Sequence, residues 1–184
     1  MIPYRDKVKQ DYEMENDISI LYKEYYKDLY GYIYMITLNS FDTEDILHNV
    51  FLKAMKGLGT FRGDSSLKTW LFTIARNECL NYMEKSKREV QTEDIDISIG
   101  AGDFEDKLVQ KESVHRILRY IRSSEEPVRS LLILRLIEER SFVEIGKILG
   151  KTDVWCRINF FRTKKTLIDL LENDEGAEGK RDEG

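Results

Sequence analysis

The sequence predicts an all-α protein: two small helical domains joined by a flexible acidic linker. Three observations carry this. Only two prolines occur in 184 residues, and proline is the strongest helix breaker. Apolar residues recur at three- and four-residue spacing over most of the chain. That period lapses in VQTEDIDISIGAGDFED, which is acidic and glycine-containing. The expected divisions are an N-terminal extension at 1–16, a first domain at 17–88, a linker at 89–107, a second domain at 108–171 and an acidic disordered tail at 172–184.

Each element follows from its own pattern. DISILYKEYYKDLYGYIYMITL, residues 17–38, puts Ile18, Leu21, Tyr25, Leu29, Ile33 and Ile36 on one stripe. In DTEDILHNVFLKAMKGL, Asp42 is the expected N-cap, and Glu44 and Asp45 suit a first turn, where the helix dipole favours anions. Ile46, Leu47, Val50, Phe51, Ala54 and Leu58 form its apolar face. Gly57, Gly59 and Gly63 then predict a loop. Ser65 or Ser66 caps a third helix from about Leu67 to Glu84, with Leu67, Leu71, Ile74, Ala75 and Tyr82 inward.

Beyond the linker, Pro127 fits the first turn of a helix running to about Glu139. Ser141 caps a short helix ending at Gly150. Thr152 caps a longer basic helix with Cys156, Phe160, Leu167 and Leu171 inward. A short helix, a tight turn and a basic helix make a helix-turn-helix pattern, and Gly146 falls where the two helices must approach closely.

Composition limits the function. No run of apolar residues is long enough to span a bilayer, and the start, MIPYRDKVKQDYEMEND, has no apolar block that could serve as a signal peptide. Two distant cysteines and two histidines make neither a disulfide framework nor a zinc site, so no cofactor or metal is expected and the cytoplasm is the expected compartment. The net charge of −5 conceals segregation. Lys53–Arg88 carries eight basic and three acidic residues, and Lys151–Thr166 five and one. Fields act over about 8 Å at physiological salt, so an acidic chain can still hold a polyanion on these two stretches.

On the last helix the residues expected to face outward are Lys151, Trp155, Arg157, Asn159 and Arg162. Arginine and asparagine pair with guanine and adenine edges, while Lys164 and Lys165 suit phosphates. In TFRGDSSLKTWLFTIARNECLNYM, Arg62, Lys68 and Arg76 could neutralise phosphates, and Phe61, Trp70 and Phe72 offer faces for an unstacked base.

FDTEDILHNVFLKAMKGLGTFRGDSSLKTWLFTIARN closely resembles region 2 of bacterial sigma factors of the extracytoplasmic-function (ECF) group, in the sigma-70 family. RSLLILRLIEERSFVEIGKILGKTDVWCRINFFRTKKTL resembles their region 4. The resemblance spans about 17–171 and implies a non-enzymatic initiation subunit of RNA polymerase. It implies that Asp45, His48, Asn49, Phe51 and Lys53 bind polymerase core at the clamp helices of the largest subunit, with the flap of the second-largest as a further contact. It implies that Phe61, Arg62, Lys68, Trp70, Arg76 and Asn77 recognise and open the minus-10 promoter element. Lys151, Thr152, Trp155, Arg157, Asn159, Arg162, Lys164 and Lys165 would read the minus-35 element. An anti-sigma factor, often membrane-anchored in this family, is the further implied partner.

The chain departs from the family at several positions. His48-Asn49 stands where Gln-Glu is frequent, Lys151 replaces an apolar turn residue, Trp155 a smaller polar one, and Gly146 the usual alanine. Three rival readings compete. A stand-alone helix-turn-helix regulator leaves the first domain without a role. A nuclease using Asp42, Glu44 and Asp45 as metal ligands lacks converging ligands. A helical adaptor leaves both basic stretches unexplained.

Overall fold

The computed structural model describes the backbone of residues 4–90 and 112–172, with side chains over 19–86 and 114–169. The described residues are helices joined by turns and fall into two compact units that divide after Ile97. The first holds α1 (Tyr4–Thr37), α2 (Ser40–Gly57), a 3₁₀ turn (Leu58–Thr60) and α3 (Leu67–Val90). The second holds α4 (Glu112–Ser123), α5 (Val128–Leu136), α6 (Phe142–Leu149) and α7 (Asp153–Glu172). The expected acidic linker and tail fall almost entirely outside the described residues, as do the side chains of Ile18 and Leu171.

In the first unit α1, α2 and α3 pack mutually. Leu29 and Ile33 of α1, Leu47, Val50 and Ala54 of α2, and Leu71, Phe72 and Ala75 of α3 are sealed from solvent. Each such aliphatic or aromatic side chain contributes about 1.5–3 kcal/mol of burial free energy, except the smaller alanines. Tyr32 is also fully buried, its ring edge-on to Phe72 at 5.5 Å between centroids. α1 starts earlier than the apolar stripe suggests, at Tyr4, and α3 continues past Glu84 to Val90.

The cap of α2 lies one turn earlier than expected. Asn39, not Asp42, is the N-cap: its side-chain oxygen accepts from the amides of Phe41 (2.9 Å) and Asp42 (3.3 Å). Leu38, at φ 54°, swings the chain out of α1 so that Asn39 meets the start of α2. Asp42 is thereby left inside the first turn, where its carboxylate accepts from the Tyr82 hydroxyl of α3 at 2.8 Å. Of the two candidate serines, Ser66 caps α3 by accepting from the Thr69 amide at 3.1 Å.

In the second unit α5 is central, packing on α4, α6 and α7. Four consecutive residues, Leu131 to Leu134, are fully buried, as a helix enclosed on all sides requires. It stops at Leu136 rather than Glu139 because the chain turns through Glu139 at φ 52°. The Arg140 amide donates back to the Leu134 carbonyl there (2.8 Å), and the Arg135 guanidinium binds the Arg140 carbonyl at 2.8 Å.

Ser141 and Glu144 form a reciprocal capping box at the start of α6. Burial alone would raise the Glu144 carboxyl, but hydrogen bonds from Ser141 and the charge of Arg140 hold it below its ordinary value. A carboxyl so lowered adds stability above the unfolded pKa, and this is lost as pH falls through the folded one. Ser141→Ala should cost the second unit about 1 kcal/mol in urea unfolding at neutral pH.

Gly150 ends α6 in the left-handed region at φ 63°, and the Lys151 amide returns to the Gly146 carbonyl at 2.9 Å. The expected close approach at Gly146 is present: a Cβ there would lie 2.7 Å from the Lys151 carbonyl oxygen and 3.3 Å from the Asp153 amide. Thr152 caps α7 by accepting from the Trp155 amide at 3.0 Å. Cys156 is fully buried, which raises its thiol pKa and keeps it unreactive.

Candidate protein and nucleic-acid interfaces

Three surfaces gather the candidate residues. The first is an open groove of about 530 Å³ between α1 and α2, lined by Tyr22, Glu44, Asp45, Leu47, His48, Phe51, Leu52 and Met55. Asp45, His48 and Asn49 are exposed, as the spacing predicts. Phe51 is not: it is 5% exposed, its ring 4.9 Å from Tyr22, because the helical period turns it toward the core. It supports the groove from beneath. Tyr22 and Leu52, exposed at 44% and 37%, are the apolar surface residues that the motif did not single out.

The acids here are tied by tyrosines. Glu44 accepts from the Tyr26 hydroxyl at 2.6 Å, a bond that together with burial holds the phenol pKa well above its ordinary value. With Asp42 bound to Tyr82, two of the three carboxylates considered for metal binding already serve in helix packing. Among the described residues no group of three or more His, Cys, Asp or Glu side chains could hold a metal ion.

The second surface is a cleft of about 390 Å³ beneath the 3₁₀ turn, lined by Lys53, Gly57, Thr60, Phe61, Arg62, Asp64, Ser65, Trp70 and Ile74. Gly63, at φ 74°, turns the loop between the 3₁₀ turn and α3. Phe61 and Trp70 are half-buried with ring centroids 5.2 Å apart, so each ring keeps part of its surface open to solvent. Trp70 is seated on Gly57, where an added Cβ would meet the indole at 3.0 Å. Arg62 and Asn77 are exposed.

Two other cations on this side are already engaged. Lys53 is bonded to Glu78 at 2.5 Å, and Lys68 is ion-paired with Asp28 of α1. Arg76 is half-buried, and among the described residues its Nε has no hydrogen-bond partner. Phe72 contradicts its expected role outright. It is fully buried against Tyr32, so no base can stack on it.

The third surface is the turn between α6 and α7 with the outer side of α7. Lys151, Thr152, Arg157, Arg162, Lys164 and Lys165 are exposed. Arg157 also pairs with Asp153 at 3.1 Å, an exposed pair worth at most about 1 kcal/mol and readily exchanged. Trp155 and Asn159 point less outward than expected. Both are half-buried, the Lys151 ammonium lies 5.7 Å from the Trp155 ring centroid, and the Asn159 amide donates to the Trp155 carbonyl at 2.9 Å. Val154, Ile158 and Phe161, at 57%, 48% and 59% exposure, are apolar residues that also face outward on this helix. Their spacing from Cys156 and Leu167, which the sequence already places inward, could have revealed them.

Comparison with known proteins follows the same lines. Residues 21–89 match the family described as Sigma-70 region 2. The chain is 31% identical to the RNA polymerase sigma factor YlaC of Bacillus subtilis, over 73% of this chain and 80% of that protein. It is also 31% identical to the ECF RNA polymerase sigma-E factor of Escherichia coli, over 71% and 74% respectively. In fold it is similar to the sigma factor RpoE of Bartonella quintana, solved in complex with the anti-sigma factor NepR. The TM-score is 0.68 at 22% identity, covering 85% of this chain and 97% of that one. The chain belongs to the extracytoplasmic-function group of the sigma-70 family.

Proposed function

We propose that the first unit holds polymerase core on the α1–α2 groove and the minus-10 element on the Phe61–Trp70 cleft, and that the second unit reads the minus-35 element through a helix-turn-helix made by α6 and α7. As an ECF sigma factor, the chain directs RNA polymerase to promoters in transcription initiation. It acts by binding rather than by catalysis. The observation that carries the division of labour is the separation of two basic stretches, each bearing aromatic or apolar surface, onto different units of an acidic chain. Polymerase core would hold the two units at the spacing of the two promoter elements, raising their effective concentration on one DNA molecule.

An anti-sigma factor is the third partner. The resemblance to a relative solved with NepR supports this, and the exposed Tyr22–Leu52 groove offers an apolar surface that such a partner could mask. Among the described residues no helix is long and apolar enough to cross a membrane, so membrane association would come from the partner.

Leu52→Arg tests the first assignment. Leu52 is exposed, so the variant should keep its circular dichroism while its affinity for core falls at least about tenfold, equal to about 1.4 kcal/mol. Unchanged capture of core by this variant would move the polymerase contact elsewhere on the unit.

A further inference from the structure

α7 presents an apolar stripe to solvent in the middle of its cationic face. Val154, Ile158 and Phe161 stand at i, i+4 and i+7, so they share one side of the helix, opposite the buried Cys156 and Leu167. Exposed Arg157 and Lys164 flank the stripe on one side and Arg162 on the other, and Lys165 continues it by one turn. Single exposed aliphatic residues are ordinary, but a row of three centred on the face that carries the cations is not. Contacts from these cations to phosphates would give affinity for any duplex, since phosphate contacts carry no sequence information. The apolar row adds the one feature that phosphates cannot bind.

We propose that Val154, Ile158 and Phe161 are specificity-determining residues that read thymine C5-methyl groups in the major groove of the upstream promoter element. The inference rests on the helix-turn-helix reading of α6 and α7 and names what that surface recognises. In the major groove the thymine methyl is the apolar mark of a base pair, and apolar side chains are its natural contacts. Residues 154 and 161 are separated by about 10.5 Å along the helix axis, at 1.5 Å per residue. That length covers about three base-pair steps at 3.4 Å each. The upstream element should therefore contain a short run with thymine on either strand. Charge complementarity selects DNA over an apolar protein partner, because the stripe is bordered by cations on both sides with Asp153, already paired to Arg157, the nearby acid.

The test uses holoenzyme assembled from the full chain and polymerase core. Its probes are duplexes recovered by selection from a randomised upstream element fused to a fixed downstream one. Each thymine is then replaced singly by deoxyuridine, which removes only the methyl group. Wild type should lose about three- to tenfold in affinity at one to three adjacent positions. Ile158→Ser or Phe161→Ser should bind the thymine and deoxyuridine duplexes equally at the position each one reads. Both residues are surface-exposed, so circular dichroism should be unchanged.

Indifference of wild type to deoxyuridine at every position would overturn the proposal while leaving the helix-turn-helix reading intact, provided Arg157→Ala or Arg162→Ala still weakens upstream binding. If those arginine variants and deletion of the upstream element also change nothing, the helix-turn-helix reading fails as well. If the triple variant Val154→Ser, Ile158→Ser, Phe161→Ser keeps its DNA affinity but loses core binding, the stripe is a protein contact and the proposal is wrong.

Discussion

Phe72→Ala should destabilise the first unit by about 3–5 kcal/mol and abolish transcription by unfolding it, without any direct loss of DNA contact. Phe72 is fully buried and meets Tyr32 edge-on, so truncation leaves a cavity among α1 and α3 side chains. A small helical domain is stable by only about 5–15 kcal/mol, so this is a large fraction of the whole. The two tryptophans separate the units: Trp70 reports the first and Trp155 the second. In urea, the Trp70 transition should move sharply downward while that of Trp155 stays in place. Phe72→Leu, which keeps apolar volume but no aromatic face, should cost far less and retain promoter opening. If Phe72→Leu instead folds normally and fails to melt promoters, Phe72 is a base-stacking residue after all.

The second large effect is expected at Gly146. Two terms compete when it becomes alanine. Alanine favours the helix by about 0.5–1 kcal/mol relative to glycine. Against this, the new Cβ would sit 2.7 Å from a backbone carbonyl, which no side-chain rotation can relieve. Overpacking of this kind typically costs about 1–3 kcal/mol, so the net sign is destabilising. Gly146→Val adds two methyl groups in the same place and should cost the second unit about 3 kcal/mol or more. Upstream-element binding should fall with it, because the Lys151–Asp153 turn that aims α7 must shift. A stabilised Gly146→Ala variant would mean that the turn relaxes freely. The turn would then not fix the pose of α7.

Helix existence and the buried stripes were legible because 3.6-residue periodicity acts along one element and needs no knowledge of its neighbours. The capping serine Ser141 was legible for the same reason, being a local bond, and the α3 cap was narrowed to the adjacent pair Ser65 and Ser66. What sequence could not give was set by packing between elements. Asp42 has the right chemistry for a cap, yet Leu38 in the left-handed region brings Asn39 there first. Phe72 read as surplus to the core because the partner that buries it, Tyr32, lies on another helix. Lys53 and Lys68 counted as free cations until Glu78 and Asp28 proved to be beside them. On α7 the charged residues drew attention, and the apolar residues between them were overlooked. Motif chemistry identifies which residue types serve a surface, but only the buried face of the folded helix fixes which of them point outward.

Run-off transcription by core polymerase reconstituted with this chain, on a fragment library of its host genome, tests the central claim most directly. The account predicts discrete start sites preceded by two shared sequence elements. Permanganate should detect unpaired thymines at the downstream element only when Trp70 and Arg62 are intact. Core that initiates no differently with and without the chain, while the chain alone protects a symmetric duplex site, would contradict it and make this a stand-alone regulator.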